Sequence, residues 1–350
     1  DEKDRIRKAP APFTTSSMQQ DAANKINFST RKTMMVAQQL YEGIEIKGHG
    51  TIGLVSYIRT DSVRISDEAK AQAREDILEK MGEEYYSNNI YKNRKGDVQD
   101  AHEAIRPSHI ELEPDEMKDS LSRDQYKLYK LIWNRFLASQ IAPARFKAVN
   151  AGISNGDYLF KATGSKMIFD GFLKVYQQGK DGEENNLLPH LEKGEQLDLE
   201  KVEGTQNFTQ PPSRFTEASL VKDLEDKDIG RPSTYAPIVA TLMDRKYVTK
   251  DKKSLMPTEL GFIVIDMMQQ YFKEIVDTGF TAQMEENLDD IEAKGVRWKS
   301  VIEDFYGGFK KELDVAEKEI QKVEFEEELT GETCEKCGRP MAIKHGRFGA

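Results

Sequence analysis

The sequence predicts an α+β protein of several domains, with helical units on either side of a strand-rich segment. Helical periodicity runs through residues 15–140 and returns after residue 212, whereas apolar and polar residues alternate after residue 143. A chain of 350 residues also exceeds the size that one hydrophobic core usually organises. We therefore expect two or three domains, the last of them winged-helix-like.

Two capped helices are expected at the N-terminal end. The first is capped by Thr15 or Ser16 and runs to about residue 26, and the second is capped by Ser29 or Thr30 and stops at Gly43. Gln38 and Glu42 lie one turn apart on the second helix, so they share a face. Two more helices are predicted, at 67–81 and 123–140.

The segment after the second helix places a tyrosine two residues before an arginine. If this segment is an extended strand, Tyr57 and Arg59 point to the same face. A free phenol titrates near pH ~10 and attacks well only where positive charge or a metal favours the phenolate; a guanidinium also matches phosphate oxygens. Ser56, Thr60 and Asp61 add small hydrogen-bonding side chains. The segment indicates phosphate chemistry, although the pair alone is more typical of a strand end with a surface arginine.

A second polar cluster follows at 100–108. On a helical turn, His102 and Arg106 would share a face, and Pro107 would end the helix beside them. Histidine is the side chain best suited to hold or move a proton near neutral pH. A lone histidine is more often structural, so His102 and the neighbouring Glu103 gain weight only together with the tyrosine segment.

Beyond residue 143 the pattern predicts a β-hairpin, with strands at 146–151 and 158–162 joined by a Ser-Asn-Gly-Asp turn. Further short extended pieces are expected up to Phe208, and such a stretch suits a spacer or an arch. Helices are then predicted at 215–226, 233–244, 258–272, 282–294 and from Trp298, where Phe305, Phe309, Leu313, Ala316 and Ile320 would form one buried stripe.

The string Ile-Gly-Arg-Pro-Ser between two of these helices, with a short strand near 246–248, indicates a winged-helix-like unit. Arg231, Ser233 and Thr234 lie where a helix begins, and the backbone N–H groups of a helix start favour phosphate. The alternative is that Ser233 is only a helix cap.

A nucleotide requirement is not expected. Residues 48–53 satisfy the G-x-G-x-x-G pattern, but they follow a helix and precede a strand, which is the reverse of a dinucleotide-binding turn. We interpret them as a flexible loop. The sequence also lacks a Walker-type phosphate loop.

Composition limits the classes of protein. No apolar run approaches the ~20 residues of a membrane span, and no signal-peptide core is present, so we expect a cytoplasmic location. The net charge of -10 argues mildly against a nucleic-acid partner. Locally, however, cations outnumber acids across residues 4–62, and we weigh this local distribution above the total.

The strings Ser-Tyr-Ile-Arg-Thr-Asp-Ser and Asp-Ala-His-Glu-Ala-Ile-Arg-Pro-Ser, at 56–62 and 100–108, resemble the active-site region of bacterial type IA DNA topoisomerases. The likeness covers nearly the whole chain. It continues at 12–16, 32–35 with Gln38 and Glu42, 214–221, 229–236 and 280–285. The segment 43–53 looks longer than this resemblance leads us to expect.

The resemblance implies a mechanism. Tyr57 would attack a phosphodiester of single-stranded DNA and form a 5′-phosphotyrosyl link, Arg59 would stabilise the phosphorane, and His102 would position the phosphate or shuttle a proton. After strand passage the 3′-hydroxyl would reverse the reaction, relaxing negative supercoils without ATP. The strand would be held by Gln38, Glu42, Ser56, Thr60, Asp61, Glu103, Arg106, Arg231, Ser233 and Thr234.

The resemblance also implies a division of the chain and its partners. Residues 1–7 with 144–211 would form part of the arch or gate, 8–143 the tyrosine domain, 212–324 the winged-helix-like domain, and 325–350 a linker with an incomplete zinc ribbon. The partner would be DNA, chiefly single-stranded, bound by a monomer in the nucleoid.

Cofactors follow from the same likeness. Cys334 and Cys337 have the spacing of half a four-cysteine zinc ribbon, and 344–349 resemble the middle of such a ribbon. We expect no stoichiometric zinc without the other half; a redox Cys pair is the alternative. Family members bind Mg2+ in an acidic N-terminal Toprim domain, which nothing in this sequence matches. The chain is therefore expected to be a fragment with little or no relaxation activity alone.

Two other classes remain open. A tyrosine recombinase also uses Tyr, Arg and His on DNA, but it places its tyrosine after a His-x-x-Arg string, whereas here Tyr57 comes first and the spacing is His-x-x-x-Arg. The polarity of the covalent product distinguishes the two. A non-catalytic clamp for single-stranded DNA is the second alternative, and covalent trapping tests it.

Overall fold

The computed structural model describes residues 1–93, 102–177, 187–320 and 329–343. Nine α-helices lie within these ranges, and most have a side-chain cap at the residue before their first turn. They are α1 (Thr15–Lys25), α2 (Thr30–Glu42), α3 (Asp67–Lys80), α4 (Arg123–Ser139), α5 (Glu217–Asp226), α6 (Tyr235–Asp244), α7 (Glu259–Tyr271), α8 (Thr278–Lys294) and α9 (Trp298–Glu319).

Four small antiparallel sheets accompany the helices in the described part of the chain. The largest has the order β1-β4-β5, and the others are the hairpins β2-β3, β6-β7 and β8-β9. The strands are β1 (Glu2–Arg7), β2 (Ile44–Ile46), β3 (Gly50–Ile52), β4 (Ala144–Asn155), β5 (Tyr158–Phe169), β6 (Val248–Asp251), β7 (Ser254–Pro257), β8 (Leu329–Thr333) and β9 (Pro340–Ala342).

The buried apolar side chains form two separate clusters. The large one takes residues from α1 to α4, from the irregular segments between them and from the turn at Gly171–Lys174; Tyr129 and Phe136 are among its fully buried members. The small one consists of Val221, Tyr235 and Val239, on α5 and α6. The tyrosine segment therefore rests on the large core.

The fold class is confirmed: helices and small sheets are mixed, and the helices α1 to α4 begin and end within a residue or two of the predicted positions. The β4-β5 hairpin is also present, with longer strands than predicted. The unit that follows has the predicted helix, Gly230-Arg231 turn and helix, and the β6-β7 hairpin comes next where one short strand was predicted.

Three local predictions are wrong. Tyr57 lies on no regular strand, since β3 ends at Ile52 and only an isolated bridge follows, at Val55. His102 and Arg106 lie in an extended segment, not on a helical turn, because this segment bridges to two others instead of bonding to itself. The supposed flexible loop at 48–53 holds the turn and second strand of the β2-β3 hairpin.

Two further expectations fail towards the C-terminal side. The described residues 187–213 contain no strand where short extended pieces were predicted. The apolar stripe of α9 buries only Ala316 fully, while Ile320 is 40% exposed. Asp100 lies outside the described residues. Within the described ranges, no helix combines the length and apolar character needed to cross a membrane.

Candidate active site

Three chain segments that are distant in sequence meet around Tyr57. On one side stands the start of α1: the Thr15 N–H donates to the Thr60 carbonyl at 2.9 Å. The Thr15 hydroxyl donates to the Ile58 carbonyl at 2.8 Å and accepts from the Thr60 N–H at 2.9 Å. A buried threonine thus takes the place of a neighbouring strand, which explains why the segment is extended without being part of a sheet.

On the other side stands the segment 104–108. The Ser56 N–H donates to the Arg106 carbonyl at 2.9 Å, and the Arg106 N–H donates to the Ser56 hydroxyl at 3.0 Å. That hydroxyl donates in turn to the Ala104 carbonyl at 2.8 Å. Ser56 therefore joins, through its hydrogen bonds, the two polar segments that the sequence predicted to be functional.

The tyrosine segment alternates between outside and inside. Ile58 and Thr60 are buried, at 1% and 0% exposure, whereas Tyr57 and Arg59 are exposed. The predicted shared face is thus present even though the regular strand is not. The Arg59 guanidinium makes no hydrogen bond or ion pair with another described residue.

The ring of Tyr57 lies between two other rings. The imidazole of His102 stacks on it, with centroids 5.2 Å apart and planes 26° apart. The ring of Tyr41, from the last turn of α2, meets it at 70° with centroids 5.7 Å apart. Both geometries are favourable for aromatic pairs. The 39% exposed phenol is therefore held at the surface by its neighbours on both sides.

His102 contributes an unusual atom. Its Nδ1 is buried and has no hydrogen-bond partner among the residues that the structure describes. Buried polar atoms nearly always have one. The nitrogen therefore has unused hydrogen-bonding capacity, directly beside the phenol ring.

Two pairs of polar side chains border this cluster. The Gln38 amide donates to Glu42 at 2.7 Å, on the turn of α2 predicted from the sequence. The Arg106 guanidinium donates to Glu103 at 2.9 Å through Nε, with its Nη2 at 2.7 Å. Both members of the second pair are largely shielded from solvent. Glu103 therefore fixes the direction of the Arg106 guanidinium.

The remaining predicted residues of the tyrosine segment differ in exposure. Asp61 is exposed, whereas Thr60 is fully buried and its hydroxyl accepts the Ser62 N–H at 3.0 Å. The Thr60 side chain thus shapes the backbone of the segment in this structure.

The predicted phosphate-binding residues of the winged-helix-like unit are placed as follows. Arg231 donates to Asp289 at 2.6 Å and approaches Glu285 at 3.7 Å, so two carboxylates of α8 share its charge. The Thr234 hydroxyl accepts the Arg231 N–H at 2.8 Å, and Ser233 is exposed. Helix α6 begins at Tyr235, after these residues.

The two cysteines lie on the turn of the β8-β9 hairpin. The Gly338 N–H donates to the Cys334 carbonyl at 2.8 Å, which closes the turn. Hydrogen bonds from the backbone N–H groups of Lys336 and Cys337, and then from the Cys337 thiol, lower the pKa of Cys334. Such a turn suits two thiolate ligands of a metal. No group of three or more metal-ligating side chains occurs among the described residues.

Two residues escaped the sequence analysis. Tyr41 directly precedes Glu42 and lies three residues after Gln38. Its position at the same helix end as these two predicted residues could have indicated that it belongs to the site. Glu217 belongs to a string that was noted only for its resemblance. Its burial, with 3% exposure, could not be foreseen because its partners lie on other elements.

Comparisons with known proteins identify the family of the chain. A family model described as "DNA topoisomerase" matches residues 1–303. The structure of full-length topoisomerase I from Thermotoga maritima is similar to all of this chain, with 37% sequence identity and a TM-score of 0.77. The chain spans 56% of the length of that relative. On the family match and this likeness together, the chain belongs to the type IA DNA topoisomerases.

Proposed function

We propose that this chain carries the strand-cleaving chemistry of a type IA topoisomerase. The Tyr57 oxygen attacks a phosphodiester of single-stranded DNA, a bond forms between that oxygen and phosphorus, and the bond from phosphorus to the 3′-oxygen breaks. The phenol gives up its proton and the departing 3′-oxygen gains one. The 5′-phosphotyrosyl link keeps the energy of the broken bond, so religation after strand passage needs no ATP.

The observation that carries this proposal is the placement of the Tyr57 phenol. It is exposed, and its ring contacts the rings of Tyr41 and His102. The exposed guanidinium of Arg59 follows two residues later. A nucleophile fixed in this way loses little freedom on reaching the transition state. A guanidinium on the same face favours the additional negative charge that develops on phosphorus oxygens.

His102 is the candidate for handling the proton or orienting the phosphate. Its imidazole lies against the phenol ring, and its buried Nδ1 has no partner. A histidine in this position can donate to a phosphate oxygen or exchange a proton near neutral pH. Arg59 supplies charge, and His102 supplies a hydrogen bond or a proton.

The remaining polar residues would hold the strand. Gln38 and Glu42 lie on the helix that carries Tyr41, Asp61 and Arg106 lie on the segments that carry Tyr57 and His102, and Ser233 is exposed at the other unit. Arg231 would have to exchange a carboxylate of α8 for a phosphate in order to bind DNA directly. Thr60 and Ser56 would act on the DNA strand indirectly, because their hydrogen bonds fix the protein backbone around Tyr57.

The described residues contain no cluster of three or more carboxylate, imidazole or thiol side chains that could hold Mg2+. Cys334 and Cys337 fit two of the four ligands of a structural zinc, which would tie the hairpin turn together. The proposed partner is single-stranded DNA in the nucleoid, bound by a monomer.

The test is a covalent trap with end-labelled single-stranded oligonucleotides. With Mg2+, and with the N-terminal domain of a relative added as a separate polypeptide, we expect a 3′-end label to become attached to the protein and a 5′-end label to be released. Tyr57→Phe is the matched control and should give no adduct, while an adduct that persists in it would overturn the proposal.

The alternatives give different results in the same assay. A recombinase-like enzyme would retain the 5′-end label, because its link is to the 3′-phosphate. A non-catalytic clamp would bind the oligonucleotide and form no adduct under any condition. Either result contradicts the proposed cleavage.

A further inference from the structure

We propose that Glu217 is a positioning residue that locks the winged-helix-like unit (α5 to β7) onto helix α2, and so onto the Tyr57 site. The consequence for DNA cleavage rests on the function proposed above, whereas the lock itself does not. No role for Glu217 follows from the cleavage chemistry.

The contacts of Glu217 join three elements. Its Oε2 accepts the backbone N–H of Thr30 at 2.8 Å and the Thr30 hydroxyl at 3.1 Å. Its Oε1 pairs with the Lys250 ammonium at 2.7 Å. Glu217 begins α5, Thr30 begins α2, and Lys250 lies on β6. One buried carboxylate therefore connects the start of two helices with the wing hairpin.

The contact with Thr30 has the chemistry of a helix cap. The first N–H groups of a helix have no partner within the helix, and the helix start attracts negative charge. Ser29 satisfies the N–H of Lys32, and Glu217 satisfies that of Thr30. Helix α2 is therefore capped partly by its own chain and partly by a distant unit.

The other end of α2 reaches the proposed active site. Gln38 and Glu42 are paired on its last turns, and Tyr41 places its ring against Tyr57. A helix behaves as a rigid rod over this length. Fixing its start against α5 therefore fixes the Tyr57 cluster relative to the unit that carries Arg231.

No buried apolar cluster spans the two units. The cluster around α1 to α4 includes no residue of α5, α6 or α7, and the cluster on α5 and α6 includes none of α1 to α4. Helix α5 packs against α1 and helix α6 against α2, and two further polar contacts lie between the units. Arg31 and Asp244 are 3.9 Å apart and largely exposed, which makes their pair weak, and Ser16 donates to Glu225 at 2.5 Å.

The chemistry of the lock makes it reversible. When the units separate, water can satisfy the carboxylate, the ammonium and the α2 start, whereas an exposed apolar interface would find no such replacement. While the units are joined, removing one partner leaves buried groups unsatisfied. Glu217 thus favours the joined arrangement without making separation prohibitive.

The experiment measures the distance between the two units with spin labels. Cysteines introduced by Glu75→Cys on α3 and Lys222→Cys on α5, both exposed, carry the labels in a Cys334→Ser, Cys337→Ser background. Glu217→Ala should broaden the distance distribution and increase the separated population about tenfold, the effect of losing one helix cap. Glu259→Gln, which removes an exposed carboxylate from the first turn of α7, is the matched control and should change nothing.

A milder variant keeps the test decisive if Glu217→Ala does not fold. Glu217→Gln retains an acceptor for Thr30 but loses the charge that pairs with Lys250, so it should give an intermediate broadening. A folded Glu217→Ala or Glu217→Gln protein with the distribution of the parent overturns the lock.

The functional readout separates this proposal from the preceding one. At saturating oligonucleotide, the rate of adduct formation in Glu217→Ala should fall by the same factor as the joined population that the spin labels measure, and the adduct should still depend on Tyr57. If the parent forms no adduct, the cleavage proposal fails, while the spin-label distances still decide the role of Glu217.

Discussion

The region around Tyr57 and the three C-terminal helices α7, α8 and α9 are built in opposite ways. Around Tyr57, side chains from four helices are fully buried, and irregular backbone is fixed by hydrogen bonds to Thr15 and Ser56. In α7 and α8 no residue is buried, and in α9 only Ala316 is. The helices there are joined by ring contacts such as that of Phe280 on α8 with Phe305 on α9, with centroids 5.9 Å apart.

This difference in packing explains why the site around Tyr57 has a fixed geometry. A packed core limits side chains to single positions, which an oriented nucleophile requires. A cleft of about 440 Å³ lies beside α8 and α9, lined by Phe280, Met284 and Phe305. The C-terminal helices can therefore shift at small cost, whereas the segment bearing Tyr57 cannot.

The largest expected effect is the loss of stability when a buried ring of the core is removed, compared with the loss when a ring of α9 is removed. Phe136→Ala should lower the free energy of unfolding by about 3–5 kcal/mol, because Phe136 is 1% exposed and its removal leaves a cavity. Phe309→Ala should cost about 1 kcal/mol, the value of a ring pair that is only partly buried.

Urea titration of single-tryptophan variants checks both values, since Trp133 lies in α4 and Trp298 in α9. The Trp298 transition should come at lower urea than that of Trp133. Coincident transitions, or equal costs for the two substitutions, would break the contrast between the regions.

A smaller effect is expected from Gly53→Ala, which tests how tightly the site is built. A Cβ on Gly53 would lie 2.6 Å from the Tyr41 carbonyl oxygen, so the backbone between α2 and the tyrosine segment must move. We expect a loss of about 1–3 kcal/mol in stability and a slower cleavage step. Gly204→Ala, where a Cβ meets nothing within 4 Å, is the control and should leave both unchanged.

The smallest effect has the opposite sign and belongs to the loose region. Gly307 lies inside α9, and a Cβ there has open space. Gly307→Ala should stabilise α9 by about 0.5–1 kcal/mol, because alanine loses less backbone freedom in a helix. The Trp298 transition should shift to higher urea while that of Trp133 stays in place; a shift in Trp133 alone would contradict this.

The helices could be predicted closely because their signals are local: Ser29, Ser66 and Ser122 cap α2, α3 and α4, and apolar periodicity fixes their extent. The tyrosine segment was predicted in part. Its alternation is visible in the sequence, but the partners that replace a sheet, Thr15 and Arg106, come from far along the chain. Local patterns cannot reveal such long-range pairing.

The same reason explains the errors at His102 and Glu217. A spacing of four residues between His102 and Arg106 fits a helical turn, but bridges from Phe13 and Val55 impose an extended path instead. Glu217 looks like an ordinary first-turn carboxylate, and only the packing of α5 beside α2 gives it a buried partner. Tertiary contacts override local preference at both positions.

The hydrogen bonds between Ser56 and the segment 104–108 have a consequence for protein synthesis. A ribosome delivers Tyr57 well before it delivers the residues that receive the Ser56 N–H and supply the stacked imidazole. A nascent chain that stops in between bears the phenol but neither its backbone support nor His102. Translation order alone thus delays the assembly of the proposed nucleophile until the later segment has emerged.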